Sequence, residues 1–410
     1  MPRIKAFQAL RPRADKAAQV ASVPYDVVNR DEAAALADGN ADSFLHVVRP
    51  DIDFPPETDP YSDQIYQKAA ENLQRLIQDD VLQRDNDDCI YAYRQIMDGR
   101  AQVGIVCCCH VDDYEKNLIL KHEKTRKAKE DDRTRHVTSL NANAGPVFLT
   151  YRDVEEVNSA IGEVVRSEQP VYDFTAVDGI RHTVWRITDT DNYISLLTSV
   201  PVFYVADGHH RAASAWRAGA ARREANPHHT GDEEYNWFLT VLFPASELKI
   251  LAYNRVLKDL NGLTVAQVRE QLTSIGKFEA VTDPVPQNAG SFCFYFDGGW
   301  WRLTVPADTI DQSDAIQSLD VALLESRVLQ PIFGIEDVRT DSRIDFVGGI
   351  RGTDELTKLV DSGKWAIAVS MYPTSIAQLM AVSDAGQIMP PKSTWFEPKL
   401  RSGLLVHTLD

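Results

Sequence analysis

Residues 205–216, VADGHHRAASAW, set Asp207, Gly208, His209, His210 and Arg211 side by side where an apolar stretch gives way to an alanine-rich one. Five polar or backbone-exposing residues in a row need either water or a ligand. VPVFYVA reads as a strand that ends at this turn. RAASAWRAGAARREA, rich in good helix formers, reads as a helix that begins at about His210 or Arg211. The first amides of such a helix have no intrahelical partner, and its dipole is positive there, so the turn suits an anion. Gly208 lets backbone approach a ligand closely. His209, His210 and Arg211 add donors, and an arginine grips phosphate oxygens in pairs. Asp207 would hold a divalent cation or take a proton from a neighbouring group. The expected chemistry is a phosphate cradle built differently from a P-loop, since GxxxxGK followed by Ser or Thr occurs nowhere. Two other readings stand beside it. Asp207 would simply cap the helix above solvated histidines, or His209 or His210 would join His122 and an acid on zinc. Against zinc, adjacent histidines diverge.

The elements that must hold this turn follow from pattern. RIKAFQAL reads as a strand, Asn29 or Asp31 as the cap of a helix through EAAALA, and SFLHVVRPD as a short buried strand. Ile65, Ala69, Leu73, Leu76 and Ile77 have helical spacing. CIYAYRQIMDGRAQVGIVCCCHV predicts a hairpin with Asp98-Gly99 at its tip. KHEKTRKAKEDDRTRH, 121–136, mixes bases with acids and reads as loop and solvated helix face. GPVFLTY is a strand, DVEEVNSAIGEVVR a helix, and YDFTAVDGIRHTVWRIT a hairpin. Beyond the polar loop at 225–237, strands (SFCFYFDGGWWRLTV, RIDFVGGI, WAIAVSMY) alternate with helices (DVALLESRVLQPI, TDELTKLVDSG, SIAQLMAVSD). This is an α+β or mixed α/β pattern, with domains expected at 1–245 and 246–410.

Composition narrows the function classes. In 410 residues, 43 basic and 60 acidic side chains leave a formal charge of −17, which disfavours broad contact with nucleic-acid backbones. The five cysteines, Cys89, Cys107, Cys108, Cys109 and Cys293, make no CxxC clamp; three are contiguous and read as small hydrophobes in a reducing cytoplasm. The first residues carry no continuous apolar run of the secretory kind, and no stretch approaches membrane-spanning length, so no membrane partner is expected.

An apolar strand, DGHHR and an alanine-rich helix together resemble the nucleotide-phosphate motif of the ParB/sulfiredoxin-like superfamily. That superfamily includes nucleotide-binding ParB, sulfiredoxin and free L-serine kinases, and the kinases carry the DGHHR form matched here by Asp207 to Arg211. SVPYDVV, LKHEKTRK, VADGHHRAA and MPPKSTWFEPKLRSGLL resemble, along nearly the whole chain, a bacterial family long catalogued as a domain of unknown function. Sulfiredoxin needs a cysteine in the turn, where this chain has His209 or His210. ParB needs a helix-turn-helix downstream, where this chain has an acidic loop and a strand. The resemblance therefore implies an ATP-dependent, Mg²⁺-assisted kinase of free L-serine, on a ParB/sulfiredoxin-like nucleotide-binding core with insertions. A C-terminal α/β domain would contribute to one cleft. The other function it leaves open is a nucleotide-responsive regulator without turnover.

A serine kinase needs a carboxylate near the hydroxyl, a metal on the phosphates and a grip on the amino acid. The base candidates are Asp26 in VPYD and Glu123 in KHEKT. Lys121, His122 and Thr125 would bind phosphates beside Glu123. In MPPKSTWFEPKL, prolines stiffen a loop that presents Lys392, Ser393, Thr394 and Lys399 to phosphate or to a substrate carboxylate, while Trp395 and Phe396 would stack on a base or simply dock the tail. Arg339, Asp341 and Arg343 would line the same cleft or form a surface ion network. Donor identity, ATP or ADP, and oligomeric state are left open.

Overall fold

The computed structural model describes residues 1–410, which part into two compact units: Met1–Leu248 with Pro398–Asp410, and Lys249–Glu397. The second unit thus ends before the last residues, and the tail returns to the first, where the sequence pattern had placed everything from 246 to 410 in one domain. Both units mix helices with strands, as an α+β pattern requires.

The first unit is built on a mixed nine-stranded sheet. Along it run Ile119–Leu120, Phe203–Asp207, Val147–Tyr151, Trp237–Pro244, Arg100–His110, Ile90–Met97, Arg181–Ile187 and Tyr172–Thr175, with Ile4–Lys5 added beside Arg100–His110. Two pairings are parallel, Phe203–Asp207 with Ile119–Leu120 and Trp237–Pro244 with Val147–Tyr151; the others are antiparallel. The long hairpin turns at Asp98 (φ 51°) and Gly99 (φ 77°), the positive φ pair that matches strand twist. Cys107 and Cys109 point to one face and share the Thr240 hydroxyl, while Cys108 points to the other. All five thiols are free and fully buried, and burial pushes the thiols of Cys108 and Cys109 upward, so they behave as small apolar groups.

Helix Asp63–Gln78 buries Ile65, Ala69, Leu73 and Leu76 on its spaced face. Helix Arg30–Ala37 is capped by Asn29, whose side chain accepts from the Glu32 amide in a capping box. SFLHVVRPD differs from expectation: Leu45–Val48 is a helical turn followed by the 3₁₀ turn Pro50–Asp53. Four apolar residues carry no period of their own, and here the amides of Val47 and Val48 bond back to the Phe44 carbonyl. RIKAFQAL is likewise broken, into Ile4–Lys5 and Leu10–Pro12, with Phe7 bridging Cys89 between them.

The second unit is a six-stranded antiparallel sheet in the order Lys277–Ala280, Gly299–Thr304, Ser291–Phe296, Ile367–Met371, Tyr253–Leu257, Ile344–Gly348. Its core joins Val256, Tyr295, Val347, Leu356, Trp365 and Ala368. Chain enters and leaves this unit side by side, because Ile250–Leu251 pairs antiparallel with Trp395–Phe396. No helix in either unit is long and apolar enough to cross a membrane.

Candidate functional site

Strand Phe203–Asp207 is buried through Ala206 and delivers the chain to Gly208, whose φ of +93° is open to glycine at little cost. Helix His209–Ala225 starts at once, a residue or two earlier than its composition suggested, and no side chain caps it. Its N-terminal amides therefore face outward with the positive end of the dipole.

Arg211 is packed under this turn. Its guanidinium donates to the Asp207 carboxylate at 3.1 Å and to the Pro146 carbonyl, while Nε is buried without a partner. Lys399, brought in by the returning tail, lies 3.9 Å from the other Asp207 oxygen. Burial alone would raise the Asp207 pKa; the charges of Lys399 and Arg211 outweigh it and hold the carboxyl at about 2. The turn thus carries two cations, one anion and a helix N-terminus, which leaves it positive. Burial opposes the charge on Arg211, but Asp26 and Asp207 outweigh burial and keep the guanidinium charged. Burial also lowers His210, against the raising effect of Asp26. Asp26 therefore stands within electrostatic reach of both residues of the turn.

The two histidines separate. His210 Nε2 accepts from the Arg126 amide at 3.1 Å. His209 turns inward, 5% exposed, and meets His122 edge to face at 4.5 Å between ring centres. Burial lowers both, His122 to about 4, so both imidazoles are neutral. Ligand atoms of His122, Glu123 and His209 all lie within 4.8 Å of one another.

The structure brings Asp207, Gly208, His209, His210, Arg211, His122, Glu123 and Lys399 together, with Asp26 nearby. Lys121 goes elsewhere and lays its ammonium 4.1 Å over the Tyr114 ring. Thr125 donates to Glu130 on the following helix, Lys127–Leu140. That helix is less solvated than its charges suggested: Asp132 is buried and accepts from Tyr66 at 2.7 Å, and buried His136 donates to the Val47 carbonyl at 2.9 Å. Lys392, Ser393 and Thr394 belong to the second unit. There Lys392 Nζ sits 5.4 Å over Tyr253, and Ser393 donates to the Pro390 carbonyl at 2.6 Å. Trp395 stacks on Tyr253 at 5.1 Å, and Arg339 and Arg343 pair with Asp337 and Asp341 on the surface.

With the geometry in view, residues 4–322 match the family model described as a protein of unknown function, DUF1015. The chain belongs to that family. Comparison with curated protein sequences finds no match. Among solved structures, a free serine kinase in complex with AMP is 10% identical, covering 73% of this chain and 91% of its own at a TM-score of 0.37. SbnI with a C-terminal truncation, from Staphylococcus aureus, is 12% identical over 74% and 87%, at 0.40. A conserved hypothetical protein from Pyrococcus furiosus is 12% identical over 73% and 94%, at 0.36. These likenesses are too distant to assign a ligand or a residue role.

In this member of the family, sequence reasoning missed an open pocket beside Arg211, lined also by Tyr25, Arg133, His136, Gly145 and Ser402. Arg133 stacks 4.1 Å over Tyr25 at its rim. A side chain at Gly145 would press on the Ser402 hydroxyl at 3.1 Å and approach Arg211. The signals were present in SVPYD and RSGLL, but nothing local says that these two segments meet; they do so through the Ser22–Ser402 backbone bridge.

Proposed function

We propose that the chain transfers a phosphoryl group from a nucleoside triphosphate, ATP, to the hydroxyl of free L-serine, giving O-phospho-L-serine and ADP. The observation that carries this is the DGHHR turn: a left-handed Gly208, an uncapped helix start, and Arg211 and Lys399 both held on Asp207. Such a turn binds the donor's phosphates through amide groups and two cations. Asp207 keeps those cations in place before nucleotide arrives. Its oxygens are engaged by them, so Mg²⁺, which favours phosphate oxygens and water, would ride on the nucleotide and shield its charge. Asp26 takes the serine proton as the hydroxyl oxygen attacks phosphorus and the donor's bridging oxygen departs. Asp26 is preferred to Glu123 because Glu123 lies against His122 and His209, whereas the Asp26 charge acts on Arg211 and His210. An open pocket adjoins Arg211.

The test is ³¹P NMR of purified protein with Mg²⁺, L-serine and ATP, with ADP as a parallel donor. A serine-dependent phosphomonoester signal, lost in Arg211→Ala, is the expected result. Asp26→Asn should cut turnover roughly 10²–10⁴-fold with nucleotide affinity nearly intact. Nucleotide that binds but stays whole in the presence of serine would make the chain a nucleotide-responsive regulator. Absence of binding would reduce DGHHR to a helix start.

A further inference from the structure

His122, Glu123 and His209 form a cluster that the transfer above leaves unused. Their ligand atoms cluster within 4.8 Å, with both imidazoles buried and the carboxylate half-buried. Donors around a tetrahedral ion with bonds of ~2.0–2.1 Å lie about 3.4 Å apart, so no pair in the set needs to close by more than about 1.4 Å.

His209 provides the second observation. Its side chain is 5% exposed, and Nε2 is buried without a hydrogen-bond partner. A buried polar atom left in this way is costly and calls for something to satisfy it. His122 adds a third: one ring nitrogen bonds the Val205 backbone. An imidazole N–H fixed on a carbonyl sets the tautomer that offers a lone pair on the other nitrogen, the usual support of a metal-bound histidine. The objection that adjacent histidines diverge does not apply, because His210 is turned to the Arg126 amide and only His209 enters the set.

We propose that His122, Glu123 and His209 form a site for one transition-metal dication of the zinc class, held by the protein without nucleotide. Two imidazoles and one carboxylate match borderline ions and not Mg²⁺, which prefers oxygen alone. Three protein ligands leave a position open to water or to a ligand oxygen. Asp207 stands outside the set because Arg211 and Lys399 occupy its oxygens. The proposal does not depend on the kinase reading.

The full-length protein, freed of metal by chelator dialysis, is titrated with Co²⁺ and followed by its visible ligand-field absorption. Zn²⁺ affinity is then measured by competition with a chromophoric chelator. One equivalent should bind without nucleotide. His209→Ala and the near-isosteric Glu123→Gln should each weaken Zn²⁺ by on the order of a hundredfold, while His228→Ala, at an exposed loop histidine, should leave it unchanged. Circular dichroism checks that each variant is folded, and Glu123→Gln keeps the test valid if His209→Ala is not. The proposal is overturned if the wild type shows no visible band and yields its Zn²⁺ to the chelator. It is equally overturned if the folded variants bind as tightly as the wild type.

Discussion

Gly208 is the smallest residue of the turn and the one with least freedom to change. At φ +93° an alanine is strained by about 1–2 kcal/mol, and its methyl group would stand 3.0 Å from the Arg211 guanidinium carbon. Gly208→Ala should therefore lower Tm by only about 2–6 °C, yet weaken nucleotide binding roughly tenfold or more by displacing Arg211. Scanning calorimetry and isothermal titration separate the two effects; equal affinity in the variant would show that Arg211 does not grip phosphate. Asp207 to Arg211 were legible in the sequence because they are contiguous and flanked by an unambiguous strand and helix. Lys399 was legible only as a cation on a stiff loop, since its partner Asp207 lies far back along the chain. Lys121 misled because charge says nothing about direction: its neighbour His122 turns inward while Lys121 lies on Tyr114.

At the scale of elements, long periodic segments could be read and short apolar ones could not. The hairpin through Asp98-Gly99 and the helix Asp63–Gln78 carry period and turn chemistry in their own residues. Leu45–Val48 carries neither, and its helical turn is decided by packing around Phe44, which is fully buried. Sheet order is also absent from local pattern, and it sets demands of its own. Gly104, on the central strand Arg100–His110, leaves room for the Phe243 ring, which a methyl group there would meet at 2.9 Å. Phe243 is completely buried and has nowhere to retreat. Gly104→Ala should cost about 1–3 kcal/mol, read as a lower urea midpoint at unchanged m-value. A midpoint equal to that of the wild type would mean that the ring moves freely.

For the whole molecule, buried neutral histidines set the acid limit. Burial holds His110 at about 4 and His136 and His182 at about 3, against 6.5 for an exposed imidazole. His182 shows how this is built: Arg401 donates to its Nε2 at 3.1 Å, which must then stay unprotonated, and its Nδ1 meets the Tyr93 hydroxyl at 2.7 Å. Below about pH 6.5 the unfolded chain takes up protons that the folded chain refuses, so stability falls as pH drops and goes on falling to the folded values near 3–4. Each such group contributes a slope of up to about 1.4 kcal/mol per pH unit. Urea unfolding at a series of pH values from 7 to about 4.5 should show a steep loss, made shallower by one such increment in His182→Gln. An unchanged slope would place the protons elsewhere. The expected domains at 1–245 and 246–410 differ from the observed units mainly in the tail, because residues 398–410 dock through Leu400, Arg401, Val406 and His407, a contact that no local pattern announces.

That returning tail has a consequence for how the protein is made. Synthesis at ~5–20 residues per second must pass through the roughly 150 residues of the second unit before Lys399 leaves the ribosome, a delay of about 7–30 s. Until then Asp207 and Arg211 exist without their third charge, and the strand beside Ser22 has no Ser402 to pair with. The nascent first unit therefore waits, incomplete, while the inserted unit is free to fold ahead of it. The turn gains Lys399 only after the whole of the second unit has been made, so a chain stopped within that unit lacks one of the turn's three charges.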